Sequence, residues 1–129
     1  MSPVGIVLVS HSPKLAEGLA ELLAEIGSDE VPVAIAAGNS AGGLGTDPAR
    51  VAAAFERADT GQGIVIIPDL GSSVLTVRTL LEHADGNRRI LVDAPFVEGA
   101  VAAAVTAASG ASLIEVAEAA KAARDVAKI

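Results

Sequence analysis

The sequence predicts an α/β domain built on a doubly wound, four-stranded parallel sheet, order 2-1-3-4, with helices on both faces. Three observations carry this. Apolar runs of strand length alternate with segments of helical period, the pattern of βα units. The runs at Gly5–Ser10 and residues 63–68 are almost wholly apolar, as strands covered on both faces must be. At 129 residues, with 51% hydrophobic and 2% aromatic residues, the chain is long enough for one core made of Val, Ile, Leu and Ala.

The first strand is Gly5–Ser10. Ser12-Pro13 then opens a helix, with serine as N-cap and proline at the first helical position, where its missing N–H does least harm. Leu15, Leu19, Leu22, Leu23 and Ile26 recur at helical spacing as an expected core stripe, and Gly27 supplies the stop. Residues 31–37 form the second strand, with Pro32 near its start. The glycine-rich stretch 38–46 reads as a mobile loop, and Asp47-Pro48 starts a helix turning Val51, Ala54, Phe55 and Ala58 inward.

Residues 63–68 form the third strand, followed by the turn Asp69-Leu70-Gly71-Ser72. The third helix is expected to bury Val74, Leu75, Val77, Leu80 and Leu81, with His83 a solvated residue near its end. Residues 89–93 are the fourth strand. The fourth helix is expected to turn Val97, Val101, Ala104, Val105 and Ala108 inward and to end at Gly110. Ser112 and Glu115 form a capping box that opens the last helix. No linker, repeat or second domain interrupts this pattern, so residues 1–129 read as one domain.

His11 stands just beyond the first strand. In a parallel α/β fold that position lies on the carboxyl edge of the sheet, where ligands bind. The chain has two histidines and no cysteine, so His11 is the residue to explain: phosphate carrier, general base, metal ligand or loop polar residue. With strand order 2-1-3-4 the switch point falls between strands one and three, which brings Asp69 over the same crevice. A carboxylate beside an imidazole accepts one ring N–H, fixes the tautomer and leaves the other nitrogen free to attack. The plain alternative for Asp69 is an N-cap on the third helix.

The helix starts add anion-binding capacity. Backbone N–H groups around Ser12, Gly71 and Ser72, with the hydroxyls of Ser72 and Ser73, can bind phosphate oxygens; the same serines also suit simple capping. Gly45 and Thr46 are the residues of the glycine-rich loop best placed to touch a ligand. That loop fails the nucleotide signatures: the chain has no Gly-Lys pair for a P-loop, and Gly43-Leu-Gly45-Thr-Asp-Pro48 ends in proline.

Other classes fall away. A formal charge of −7 disfavours nucleic acid and anionic lipid. Lack of cysteine excludes disulfides and thiolate chemistry and fits a cytoplasmic protein. The amino-terminal residues show no signal peptide, and no apolar stretch approaches the roughly 20 residues of a membrane span. One histidine on the active edge cannot build a zinc site, so no metal is expected. Receiver domains need an acidic pair after strand one, where Ser10-His11-Ser12 stands, and the hydrolase elbow G-x-S-x-G is absent.

The segment Ile6-Val-Leu-Val-Ser-His-Ser-Pro-Lys-Leu-Ala-Glu-Gly18 resembles the phosphorylation segment of mannose-type enzyme IIA domains of the bacterial sugar phosphotransferase system. Further similarity lies in Ile35-Ala-Ala-Gly38, Gly45-Thr-Asp47, Pro68-Asp-Leu-Gly-Ser72, Ala94-Pro-Phe-Val-Glu-Gly99 and Ala107-Ala-Ser-Gly110. Within that family the pattern is more similar to the phosphotransfer subunits of dihydroxyacetone kinase.

The resemblance implies the mannose-type enzyme IIA fold and a phosphohistidine relay. His11 would take a phosphoryl group from the phosphocarrier HPr and pass it to ADP on the nucleotide-binding subunit of the kinase. Asp69 would bond the active histidine, and Ser12, Thr46, Gly71 and Ser72 would receive the phosphoryl oxygens. No cofactor is implied on this subunit, since ADP, ATP and Mg2+ belong to the partner. A homodimer is implied as well. Some relatives carry fused HPr-like and enzyme I-like domains; a chain ending at Ile129 would borrow these from separate proteins, or derive from a longer chain. Two other readings remain: a sugar-transport component serving a IIB partner, and a non-catalytic anion-binding module.

Overall fold

The structure, a computed structural model, describes residues 2–82 and 88–129. Four strands, β1 (Gly5–Ser10), β2 (Val33–Ala37), β3 (Ile64–Pro68) and β4 (Arg89–Leu91), form one parallel sheet in the order β2-β1-β3-β4. Helices α1 (Pro13–Ile26), α2 (Pro48–Ala58), α3 (Gly71–Glu82), α4 (Phe96–Ala108) and α5 (Leu113–Ala122) cover it, and a short 3-10 turn, Ala123–Asp125, follows.

Side chains alternate across β1, so one strand feeds two cores. Ile6 and Leu8 join Leu19, Leu23, Ala100, Ala104 and Val116 beneath α1, α4 and α5. Val7 and Val9 join Val51, Phe55, Ile66 and Val77 beneath α2 and α3. Both faces of β1 and β3 are therefore dry, which explains their unbroken apolar sequence.

Local chemistry starts α1, α2 and α5 where the sequence predicts, whereas α3 begins at Gly71, inside the expected turn. Ser12 Oγ accepts the Leu15 N–H at 3.2 Å, and Asp47 Oδ1 accepts the Ala49 N–H at 2.9 Å. Ser112 and Glu115 bond reciprocally as a capping box. Prolines 13 and 48 each occupy the first helical turn.

The helix faces need correction. On α1, Ala16, Leu19 and Leu23 are buried, whereas Leu15, Leu22 and Ile26 are exposed at its flank. On α3 only Ser73 and Val77 are fully buried, and Leu75 points outward. On α4 the inward residues are Gly99, Ala100, Ala103, Ala104 and Ala107, while Val97, Val105 and Ala108 are exposed. The reason is steric: α4 lies between α1 and α5 on one sheet face, and close approach favours small side chains. Strands two and four are shorter than expected because they are edges: β2 begins at Val33 and β4 ends at Leu91. His83 lies outside the described residues.

Gly5 anchors β1 against α2. A Cβ at Gly5 would sit 2.1 Å from the Ala58 carbonyl oxygen, a backbone atom with no rotamer to yield. Gly5→Ala is expected to lose stability at the upper end of the roughly 1–3 kcal/mol that overpacking costs. A urea midpoint equal to that of the unsubstituted protein would contradict this packing. Among the described residues no helix is long and apolar enough to cross a membrane.

Candidate functional site

The carboxyl ends of β1 and β3 lie side by side, with Val9 opposite Pro68 in register. His11 is the first residue past β1 and Asp69 the first past β3, so the sheet delivers both to one edge. The Asp69 N–H bonds the Val9 carbonyl at 2.9 Å, extending the ladder to the turn itself. His11 Nδ1 then lies 3.1 Å from Asp69 Oδ1. The His11 side chain is 25% exposed and that of Asp69 only 7%, so the ring is reachable while its partner is not.

Five groups converge on the Asp69 carboxylate. Oδ2 accepts the His11 backbone N–H at 3.0 Å and the Ser10 hydroxyl at 3.0 Å. Oδ1 accepts the Leu70 N–H at 2.7 Å, the Ser73 hydroxyl at 2.9 Å and the His11 ring. Burial alone would push this carboxyl up. Hydrogen bonds from the His11 N–H, the Ser73 hydroxyl, the His11 ring and the Ser10 hydroxyl outweigh it and hold the group below the ordinary aspartate value.

Asp69 does not cap α3 in the usual manner. A capping side chain accepts from the second or third helical N–H, but the Ser73 N–H bonds the Leu70 carbonyl at 3.1 Å. The carboxylate serves the histidine instead.

The network fixes the ring. An ionised carboxylate only accepts, so Nδ1 carries the proton in the neutral imidazole and Nε2 keeps its lone pair. Ser72 Oγ lies 2.6 Å from Nε2 and donates to that lone pair. The arrangement presents one nucleophilic nitrogen, backed by a negative charge, beside the start of α3. There the Gly71 and Ser72 N–H groups open the helix with no preceding-turn carbonyl to bond, and the space above Gly71 is open. An open cleft of about 400 Å3 between the ends of β3 and β4 continues from Asp69 and Gly71 to Arg78 and Asp93.

The other sequence candidates fall unevenly. Ser12 follows His11 in the chain, but its N–H bonds Ser10 Oγ at 3.1 Å and its hydroxyl caps α1. Thr46 bridges to Gly38, and the neighbouring Gly45 N–H bonds the His11 carbonyl at 3.0 Å, which seats the glycine-rich loop beside the site. That loop is organised by Asn39, whose side chain bonds Ala41, Gly43 and Leu44. Among the described residues no hydrogen bond joins Thr46 to His11 or Asp69. From the sequence Ser10 is the end of a strand, with no role at the site. Its signal is a hydroxyl closing a wholly apolar run, which must find a partner when buried. Among the described residues no group of three His, Cys, Asp or Glu side chains could hold a metal ion.

A family model described as the PTS system fructose IIA component, EIIA-man, matches residues 5–117. The phosphoryl donor subunit DhaM of the PEP-dependent dihydroxyacetone kinase of Klebsiella michiganensis is 40% identical over 121 residues, 89% of this chain and 26% of that protein. A DhaM subunit of Listeria innocua is 39% identical over 79% of this chain and 84% of its own length. One from Lactococcus lactis is 34% identical over 84% and 85%. The chain thus spans about a quarter of the first of these relatives and most of the other two. A crystal structure of a protein of unknown function superposes with a TM-score of 0.82 at 32% identity, covering 92% of this chain and 93% of the other.

Proposed function

Because the chain belongs to the EIIA-man family of PTS IIA components, we propose that it is a phosphohistidine carrier and the phosphoryl-donor subunit of a phosphoenolpyruvate-dependent dihydroxyacetone kinase. Nε2 of His11 attacks the phosphorus of phospho-HPr; a new P–N bond forms as the bond to the donor imidazole breaks. The charged ring keeps its proton on Nδ1, donated to Asp69, whose negative charge offsets the positive phosphoimidazole. Ser72, which donates to Nε2 in the free protein, turns to donate to a phosphoryl oxygen. The N–H groups of Gly71 and Ser72 bind the others, with Thr46 at the rim and Ser12 opening α1 beneath. Such transfer is chiefly positioning and charge stabilisation, which these groups can supply.

The phosphoryl group then passes to ADP on the kinase's nucleotide-binding subunit, where Mg2+ also resides. The ring nitrogen recovers its lone pair, and the ATP formed phosphorylates dihydroxyacetone. This carrier acts in the cytoplasm as a homodimer and holds no cofactor of its own.

The observation that carries the reading is an Nε2 that faces the Ser72 hydroxyl, opposite an Nδ1 bonded to a buried carboxylate. The kinase branch is supported by the relatives' names. To test it, the protein is charged with phosphoenolpyruvate, enzyme I and HPr, then mixed with the ADP-loaded nucleotide-binding subunit, its dihydroxyacetone-binding partner and dihydroxyacetone. The expected result is discharge of the carrier with formation of dihydroxyacetone phosphate. Discharge to a sugar-transport IIB component but not to the kinase would overturn the kinase assignment.

A further inference from the structure

We propose that Ser10 and Ser73 are positioning residues, a pair of buried hydroxyls that hold the Asp69 carboxylate ionised and aimed so that His11 keeps its proton on Nδ1 and its lone pair on Nε2. The proposal rests on the phosphocarrier reading above and extends it to two residues outside the reacting set.

Among the described residues, Ser10 and Ser73 are the fully buried polar side chains, each 0% exposed. They come from different elements, the end of β1 and the first turn of α3, yet converge on one carboxylate. Ser10 Oγ donates to Oδ2 at 3.0 Å and Ser73 Oγ to Oδ1 at 2.9 Å. A serine in the first turn of a helix has nearby backbone acceptors that would satisfy it just as well. Ser10 has such an alternative in the Ser12 carbonyl at 3.2 Å, and the carboxylate is both nearer and charged.

The chemistry turns on which atom gives the proton. A carboxylic acid could donate to Nδ1 and drive the ring proton to Nε2, erasing the nucleophile. A carboxylate can only accept. Hydroxyl donors bond the charged form more strongly than the acid, and they act inside a site that burial would otherwise turn towards the acid. Donors on both oxygens also stop the carboxylate from rotating away from the ring. Ser73 Oγ lies 3.4 Å from Nδ1 as well, closing the third side of that small triangle.

The test is the tautomer itself, read from ring nitrogen chemical shifts of the full chain labelled with ¹⁵N-histidine. It compares the unsubstituted protein with Ser10→Ala, Ser73→Ala, the double variant and Ser73→Thr. The unsubstituted neutral ring is expected as Nδ1–H. The alanine variants are expected to raise the Nε2–H population several-fold and to slow phosphoryl uptake from phospho-HPr by about tenfold, the scale of losing an outer-shell partner. Ser73→Thr, which keeps the hydroxyl, restores both, and the single variants serve if the double one does not fold.

Slower uptake with an unchanged tautomer, or no change in either, would overturn the proposal. Failure of the unsubstituted protein to take up phosphate would instead defeat the carrier reading, while the tautomer comparison would still decide the role of the serines.

Discussion

His11→Ala is expected to abolish phosphoryl uptake, giving no mass gain under alkaline conditions after incubation with phosphoenolpyruvate, enzyme I and HPr. The chain contains no cysteine and one other histidine. At the joined ends of β1 and β3 the imidazole is the side chain that offers a nitrogen lone pair, met there by the Ser72 hydroxyl. The hydroxyls of Ser10 and Ser73 are spent on Asp69, and that of Ser72 has no base beside it once the ring is gone. The fold should survive. The ring is partly exposed, and the Asp69 carboxylate retains the His11 backbone N–H, the Leu70 N–H and both serine hydroxyls. A His11→Ala protein with native circular dichroism that still gains one phosphate would place the acceptor elsewhere.

Asp69→Asn is expected to fold and yet slow uptake by roughly 10²- to 10⁴-fold, the range associated with losing an orienting carboxylate and the correct tautomer. The amide can turn an N–H towards Nδ1, which forces the proton to Nε2 and removes the attacking lone pair. The same substitution has a pH signature. The Asp69 carboxyl lies below its ordinary value in the folded state, because its hydrogen bonds outweigh the effect of burial. The unfolded chain therefore binds more protons near and just below that ordinary value, and stability rises with pH through this window. The benefit is fully present above the unfolded value and is lost as pH falls through the folded one. Urea unfolding should show the unsubstituted protein ahead of Asp69→Asn at neutral pH, with the gap closing in acid. A gap independent of pH would contradict the ionised, hydrogen-bonded carboxylate.

The sheet and the pairing of His11 with Asp69 were legible because they depend on strong signals. A strand buried on both faces must be continuously apolar, and Ser12-Pro13 and Asp47-Pro48 mark helix starts by capping chemistry. With strand order 2-1-3-4 the switch point falls between strands one and three, which brings together residues 58 positions apart. The helix faces were harder to read. In an alanine-rich helix such as α4, valines stand out in the sequence, yet tight packing selects the smaller Ala100, Ala103 and Ala104 and turns Val97 and Val105 outward. Leu75 on α3 misled in the same way. That Ser10 needs a partner was legible, but that it and Ser73 share Asp69 was not, because a serine's hydrogen bond is set by tertiary placement. Nothing local says that a strand end and a helix turn will meet on one carboxylate.

His11 is expected to carry the phosphoryl group on Nε2. The direct measurement is NMR of ¹⁵N-histidine-labelled protein after charging through enzyme I and HPr, held at alkaline pH so that the phosphoimidazole persists. One phosphoryl group per chain is predicted, bonded to Nε2 of His11, with Nδ1 still protonated towards Asp69. Phosphate on Nδ1, on His83, or on no histidine at all would rule out His11 Nε2 as the carrier atom.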